Sequence, residues 1–414
     1  MTATHARPRT PSLTAGAATR MRTPRVLQRM LSLHDFEAAA RRRLPRPIFG
    51  YIAGAAEDSR SLQDNRSAFD ELAFSPRVLV DVSGRSQRTE LFETSYAAPF
   101  GLAPMGISAL STYRGDIVLA RAAQAAQIPA ILSGTSLIAL EDVIAAAPDT
   151  WFQAYLPGDP QRIAALVDRV ARAGFKTLVL TVDIPVSANR ENNIRTGFST
   201  PLKPSLRLAW DGLTRPRWLV GTFARTLLAH GMPHFENSFA SRGAPIVSRH
   251  VLRDFSARDH LSWTHVDQIR RRWKGRLVIK GILSARDAML ARDHGADAVI
   301  VSNHGGRQLD GAVAPLRILA DVVDAVGELP VMVDSGFRRG SDVLKALALG
   351  ARFVFVGRPF NYAAAVAGEA GVAHAIGLLS DEVDRNMAML GVSRCAELHR
   401  GLLVRRGSPS PNEG

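Results

Sequence analysis

The 414-residue chain predicts an α/β fold, a (β/α)8 TIM barrel with an N-terminal helical cap and a long insertion after the fourth strand. Three observations predict it. First, short apolar runs recur eight times: "FGLAP" (100–104), "PAILS" (129–133), "WFQAY" (151–155), "TLVLTVD" (177–183), "LVIKG" (277–281), "AVIVS" (298–302), "VMVDS" (331–335) and "FVFVG" (353–357). Runs apolar on both faces suit a parallel sheet covered on both sides. Second, the segments between them, such as 115–127, 159–174, 284–295 and 340–350, place apolar residues three and four apart, and three of these four end at glycine. Third, the runs end in polar residues, and a barrel gathers its chemistry at the C-terminal ends of its strands. An open doubly wound sheet is the alternative.

In chain order, residues 1–30 are Arg-, Thr- and Pro-rich and predict a disordered basic tail, with Met21 or Met30 as candidate starts. The barrel domain spans 31–403. It opens with the cap, "SLHDFEAAARRRLPRPIFGYIAGAAED" and "NRSAFDELAFSPRVLVDVS", read as helices with a short extended piece near Leu79. Residues 192–262 form the insertion, or lid, far longer than an ordinary connection and therefore read as functional. Residues 404–414 predict a disordered tail.

Composition narrows the class. A single cysteine, Cys395, rules out an internal disulfide framework and a Cys-rich zinc site, and no metal is expected. The excess of 52 Lys+Arg over 38 Asp+Glu, a formal +14, fits solvated basic faces, an anionic membrane or acidic ligands. No aromatic-interleaved basic stripe or zinc-finger spacing appears, so nucleic acid is not expected. No run reaches the roughly 18 apolar residues of a spanning helix, and the N-terminus lacks a secretory apolar core. The expected location is cytoplasmic, with peripheral attachment to the inner face of the membrane. For that attachment the insertion offers "RLAWDGLTRPRWLVGTFARTLLAHG", in which Leu219, Phe223 and Leu227 would share a helix face beside Arg207, Arg215, Arg217 and Arg225.

The polar strand ends include Ser133, Gln153, Tyr155, Thr181, Asp183, Lys280, Ser302, His304, Asp334 and Arg358. Each alone could be a satisfied structural residue, and "SNHGGRQLDG" (302–311) alone could be a surface turn with a stray histidine. Contributions from several different strands make a site the better reading. Two Gly/Arg turns after the last two strands, "DSGFRRG" and "GRPF", suit a phosphate, with Gly336 and Gly340 letting the backbone N–H groups approach and Arg338 or Arg358 supplying charge. No GxGxxG points to NAD and no GxxxxGK[ST] to ATP.

Over about Leu33 to Leu398 these motifs resemble the FMN-dependent α-hydroxy-acid dehydrogenases and oxidases. "YIAGAAED", "LTVDIP…RE", "LVIKG", "SNHGGRQLDG" and "DSGFRRGSDVLKALALGA" match in order. The last is most like the mandelate dehydrogenase branch, and "TRPRW" is similar to the respiratory L-lactate dehydrogenases. The resemblance implies His304 as catalytic base with Asp183 as its carboxylate partner, and Arg190 and Arg307 as the clamp on the substrate carboxylate. It implies Tyr51 and Tyr155 as hydroxyl donors at the substrate. For FMN it implies backbone contact at Pro104, Met105 and Gly106, and ring-edge contacts from Ser133, Gln153 and Thr181. Lys280 would stand by the ring region that turns anionic on reduction. Ser302, Asp334, Ser335, Gly336, Arg338, Gly357 and Arg358 would hold the ribityl chain and phosphate.

The departures lie in the pocket. "PMG" stands for the "PTA" of the glycolate-oxidising branch, Thr135 for its tryptophan, and Ile52 for the second tyrosine of "YY". A small Thr135 leaves room for a substrate side chain larger than hydrogen. The implied reaction oxidises an L-2-hydroxy acid, lactate- or mandelate-like, to the 2-oxo acid and passes electrons from FMN to quinone or another acceptor. The implied assembly is a homotetramer. The competing functions are an oxidase using O2, a sister FMN enzyme acting on a peptide-derived substrate, and a catalytically idle flavoprotein.

Overall fold

Eight parallel strands form a closed ring in the computed structural model, which describes residues 24–199, 202, 205–248 and 258–406. They are β1 (Phe100–Leu102), β2 (Ile131–Ser133), β3 (Trp151–Ala154), β4 (Thr177–Thr181), β5 (Arg276–Ile282), β6 (Ala298–Val301), β7 (Val331–Val333) and β8 (Phe353–Val356). β2 to β8 pair in sequence order and β8 returns to β1. A parallel bridge between Leu102 and Ala130 seals the gap between β1 and β2. All eight predicted runs are strands, and the ring closes.

Period-two alternation divides the core. Ile131, Trp151, Val179, Val278, Ile300, Met332, Phe353 and Phe355 pack inside the barrel. Their strand neighbours Leu132, Phe152, Leu178, Leu277, Val299, Val333 and Val354 pack outward with the surrounding helices. The alternation carries a consequence for the site. The next inward positions along six of these strands are Ser133, Gln153, Thr181, Lys280, Ser302 and Asp334, all buried. Burying polar side chains is unfavourable without partners, so this end of the barrel is built to be covered by something polar. The opposite end is closed by a hairpin, Thr89–Leu91 with Thr94–Tyr96, whose Leu91 and Tyr96 join the interior cluster.

The cap consists of helices Leu33–Arg43, Arg46–Ala53 and Arg60–Asp70. Ser32 and Asp35 form a capping box on the first, and Pro47 sits in the first turn of the second, where no N–H is needed. Three expectations are corrected here. The extended piece is not at Leu79, which is fully exposed in the left-handed region; it is Leu72–Phe74, paired antiparallel with Leu403–Arg405. Val404 and Arg405 therefore belong to the folded domain, while 407–414 lie outside the described residues. At the other end, Arg25–Arg29 forms a 3-10 turn that buries Leu27, and Met30 is buried and accepts a hydrogen bond from His374 Nε2, so the ordered chain begins before residue 31. Residues 1–23 lie outside the described set.

The insertion carries helices Glu191–Thr196, Leu206–Leu213 and a continuous helix from Pro216 to His230 whose middle, Leu219–Ala224, is π-helical. The Trp218 indole donates to the Leu110 carbonyl at 2.7 Å and stacks on Phe223. This overturns the expected apolar face. Leu219 and Phe223 pack against the core, and Arg225 lies 3.9 Å over the Tyr113 ring rather than standing free. The exposed large apolar residues are others: Leu206 (93%), Trp210 (67%), Leu213 (63%), Val220 and Leu228. One helical stretch, Arg358–Leu390, is apolar and long enough to cross a bilayer, contrary to the sequence reading. It breaks at Ala367–Gly368, and half of its apolar window is buried in the core.

Candidate active site

The loop after β6 makes a turn that an ordinary sequence would resist. His304, Gly305 and Gly306 all have positive φ (58°, 68° and 74°). The two glycines adopt this freely; His304 does so at about 1 kcal/mol or more, a strain that collects at functional sites. The turn is held by its neighbours. Ser302 Oγ accepts from the His304 N–H, Ser335 Oγ from the Gly305 N–H, and Asn303 Oδ1 from the Gly306 N–H. Asn303 also exchanges two amide hydrogen bonds, 2.7 and 2.8 Å, with Asn65 of the third cap helix. Sequence reading missed Asn65; an asparagine on an amphipathic helix gives no sign of its distant partner.

The turn presents His304 beside β4. Its Nδ1 lies 3.1 and 3.2 Å from the two oxygens of Asp183, and its Nε2 lies 3.4 Å from the Tyr155 hydroxyl. The approach depends on Gly281, at a bulge in β5 with φ 107°, where a Cβ would come within 2.7 Å of the Asp183 side chain. Burial, opposed by Asp183, holds the His304 pKa below its ordinary value, so the imidazole is neutral and able to accept a proton. Burial would raise Asp183, but the charge and hydrogen bond of His304 outweigh it and keep the carboxyl ionised. Burial also pushes the Tyr155 phenol upward, so it remains a hydrogen-bond donor.

Arg190 and Arg307 share this cavity of about 600 Å³ with His304 and Tyr155. Arg307 Nη1 donates to the carbonyls of Tyr51 (2.7 Å) and Gly54 (2.8 Å), and its guanidinium lies 4.8 Å over the Tyr51 ring. Its buried Nη2 has no partner among the described residues. Burial, and then Arg190, pushes the Arg307 pKa down to about 9, the environment of a cation awaiting an anion. Arg190 is aimed by the Arg307 carbonyl and by Gln308 Oε1.

Pro104, Met105, Gly106, Asp334, Ser335, Gly336, Arg338, Gly357 and Arg358 border the same cavity, as expected for the cofactor side. Ser133, Gln153 and Thr181, at the buried ends of β2, β3 and β4, do not border it; Gln153 Nε2 and Thr181 Oγ1 are buried without partners among the described residues. Lys280, 3% exposed, donates to Ser302 Oγ at 2.7 Å and pairs with Asp334 at 3.0 Å. Burial, followed by the neighbouring Arg358, lowers Arg338 to about 10, and burial lowers Arg358 as well. Two desolvated cations fit a phosphate, and orphaned amide and hydroxyl groups at the strand ends fit a polar ring edge; the residues present suit FMN. One expected contact differs. Ser302 is fully buried behind Lys280 and His304, with Oγ taken by both, so it positions those two groups.

Sequence reading also missed Arg258, a buried guanidinium from the insertion that borders the cavity and lies 5.5 Å over the Tyr155 ring. Its stretch has no periodicity or motif to mark it.

Residues 40–405 match the FMN-dependent dehydrogenase family. The chain is 37% identical over 382 residues to (S)-mandelate dehydrogenase of Pseudomonas putida, covering 92% of this chain and 95% of that one. It is 41% identical over 377 residues to L-lactate dehydrogenase of Stenotrophomonas maltophilia, covering 89% and 97%. Among solved structures, one described as the monotopic membrane protein (S)-mandelate dehydrogenase superposes with a TM-score of 0.84 at 36% identity, covering 91% of this chain and all of the other. The barrel, the polar layer at its C-terminal end and these likenesses agree: the chain belongs to the FMN-dependent dehydrogenase family, oxidoreductases that act on CH–OH donors with FMN as cofactor.

Proposed function

We propose that the protein oxidises an L-2-hydroxy acid with a side chain larger than hydrogen, with His304 as base and Arg190 and Arg307 as the carboxylate clamp. The observation that carries this is the convergence of an oriented neutral imidazole and two arginines on one cavity. The planar guanidinium forks suit a carboxylate and fix C2 next to the base. Tyr51 and Tyr155 supply hydroxyl donors there. His304 Nε2 takes the proton that leaves the C2–OH unit, and Asp183 on Nδ1 stabilises the imidazolium that results. FMN, when bound, supplies the acceptor for the two electrons released at C2. Lys280, held by Asp334 and Ser302, sets a fixed positive charge at the cofactor side. Anaerobic mixing with L-lactate, L-mandelate and their D-enantiomers tests the reading: the L-acids should bleach the flavin, and equal bleaching by methyl esters would overturn the clamp.

We further propose that the protein rests on an anionic bilayer through helix Leu206–Leu213 and passes its electrons to a quinone. Leu206, Trp210 and Leu213 stand at i, i+4 and i+7, so one exposed face is apolar, flanked by exposed Arg207 and Arg217. A relative's structure is described as a monotopic membrane protein. Re-oxidation after anaerobic bleaching separates the acceptors, since faster recovery with oxygen than with a soluble quinone would favour the oxidase. A homotetramer is the assembly we propose, read by light scattering.

A further inference from the structure

We propose that Asn65, on the cap helix Arg60–Asp70, is a positioning residue for the reaction: through Asn303 it fixes the turn that aims His304. This rests on the reading of His304 as base. Asn65 does not border the cavity, so its influence there passes through its partner. Both amides are buried, at 2% and 4% exposure. Asn65 Nδ2 donates to Asn303 Oδ1 at 2.8 Å, and Asn303 Nδ2 donates back to Asn65 Oδ1 at 2.7 Å.

The whole hydrogen-bond capacity of the Asn303 amide is in use. Its Oδ1 also accepts the Gly306 N–H at 3.1 Å, and its Nδ2 also donates to the Val313 carbonyl at 3.2 Å. A side-chain amide offers two donor hydrogens and two acceptor sites, and here all four are taken. Asn65 supplies two of the four. Without it a buried donor and a buried acceptor lose their partners, and the amide is no longer held in one orientation. Turning it releases the Gly306 N–H, two residues past His304. His304 holds φ at 58°, a conformation that persists only where its surroundings over-determine it. The base must also keep Nδ1 on Asp183 and Nε2 beside the Tyr155 hydroxyl at the same time. A small rotation of the turn breaks one contact or the other.

The helix that carries Asn65 grips this turn at close range. A Cβ at Gly306 would lie 2.6 Å from the Leu62 nitrogen, and Ser61 Oγ donates to the carbonyls of Leu309 and Ala312. Asn65 therefore acts from a rigid support, which places a group more exactly than a loop does.

The test follows anaerobic bleaching of the FMN-loaded enzyme by L-lactate and L-mandelate in Asn65→Leu, which keeps the branched shape and removes the amide. The limiting rate of flavin reduction should fall about tenfold to a hundredfold, the cost of an ångström-scale misplacement. KM should change little, because Arg190 and Arg307 still hold the carboxylate, and bound flavin should be retained. The acid limb of the pH profile should keep its position, since Asn65 carries no charge. Asn65→Asp, which keeps the shape and the acceptor but loses the donor, should show a smaller loss of the same kind. In an Asn303→Leu background the Asn65→Leu change should cost nothing further, because both act through one contact. A reduction rate near wild type in both Asn65 variants, or a loss that adds to that of Asn303→Leu, would overturn the proposal alone. Loss of flavin or of the fold in both variants would assign the pair to stability and overturn it as well. Near-normal reduction in His304→Gln would instead remove the base reading on which it rests.

Discussion

The barrel mouth and the insertion above it break the ordinary inside-out rule in opposite ways. At the mouth, Gln153, Thr181, Lys280, Asp334 and Arg307 are polar or charged groups withdrawn from water. On the insertion, Leu206, Trp210 and Leu213 are apolar groups left in it. Each violation is unfavourable for the isolated chain and is relieved by contact with something of matching chemistry. FMN relieves the mouth on its cofactor side; in the proposed reading a small anionic substrate does so beside it, and an apolar surface covers the insertion. What teaches function in this molecule is where burial and polarity disagree; the barrel's apolar interior, where they agree, could support many activities.

The mouth side of that contrast breaks most sharply at His304. His304→Gln should retain FMN and the fold yet slow anaerobic flavin reduction by roughly 10²–10⁴-fold. Reduction at a near-normal rate would remove the base from His304.

Arg307→Met should weaken kcat/KM by about 2–5 kcal/mol through loss of a desolvated charge partner, with flavin affinity largely kept. The loss should fall mainly on KM, measured against a neutral hydroxy amide as control.

Asp183→Asn should cost about 1.5–3 kcal/mol of barrier, the worth of a hydrogen bond to a charged group. It also shifts a pH limb. The active His304 is neutral, so activity is lost as pH falls through its pKa, which burial already holds below the ordinary value near 6.5. Asp183 is the influence raising that pKa; without its charge the acid limb of kcat/KM should move to still lower pH. A limb moving upward would reverse the assigned balance.

The insertion side sharpens through a change with little effect on chemistry. Leu206→Ser with Trp210→Ser should leave turnover of a soluble acceptor within about twofold, as exposed substitutions do. It should also shift the protein from pellet to supernatant when sedimented with anionic vesicles. Equal recovery of wild type and variant in the supernatant would end the membrane proposal.

Much of the site was legible because strands alternate. A polar residue two places beyond an inward apolar one, as Gln153 follows Trp151 and Lys280 follows Val278, can be read straight from the chain. The groups that hold the site were not legible. Asn65 reaches Asn303, and Arg358 reaches the carbonyls of Ile52 and Gly54, across most of the sequence through pairings that leave no local pattern. The face of the insertion was misread because i, i+4 spacing identifies a stripe without saying which way it turns. Leu219 and Phe223 lie toward the core, while Trp210, on the preceding helix, lies outward. Leu79 read as extended in the valine-rich "RVLVDV"; no strand among the described residues pairs with it, and the pairing falls instead on Leu72–Phe74.

That last pairing joins the end of the cap to the last described strand, Ala73 lying opposite Val404. During synthesis the second partner leaves the ribosome only after every barrel strand has been made. The cap carries Tyr51 and the carbonyls that receive Arg307 and Arg358, so its final seam closes after every barrel strand has been made. Contacts of such long sequence separation form late and slowly. Until that seam forms, the nascent barrel carries an unfastened cap, and the carbonyls that receive Arg307 and Arg358 are among the last groups to be fixed in place.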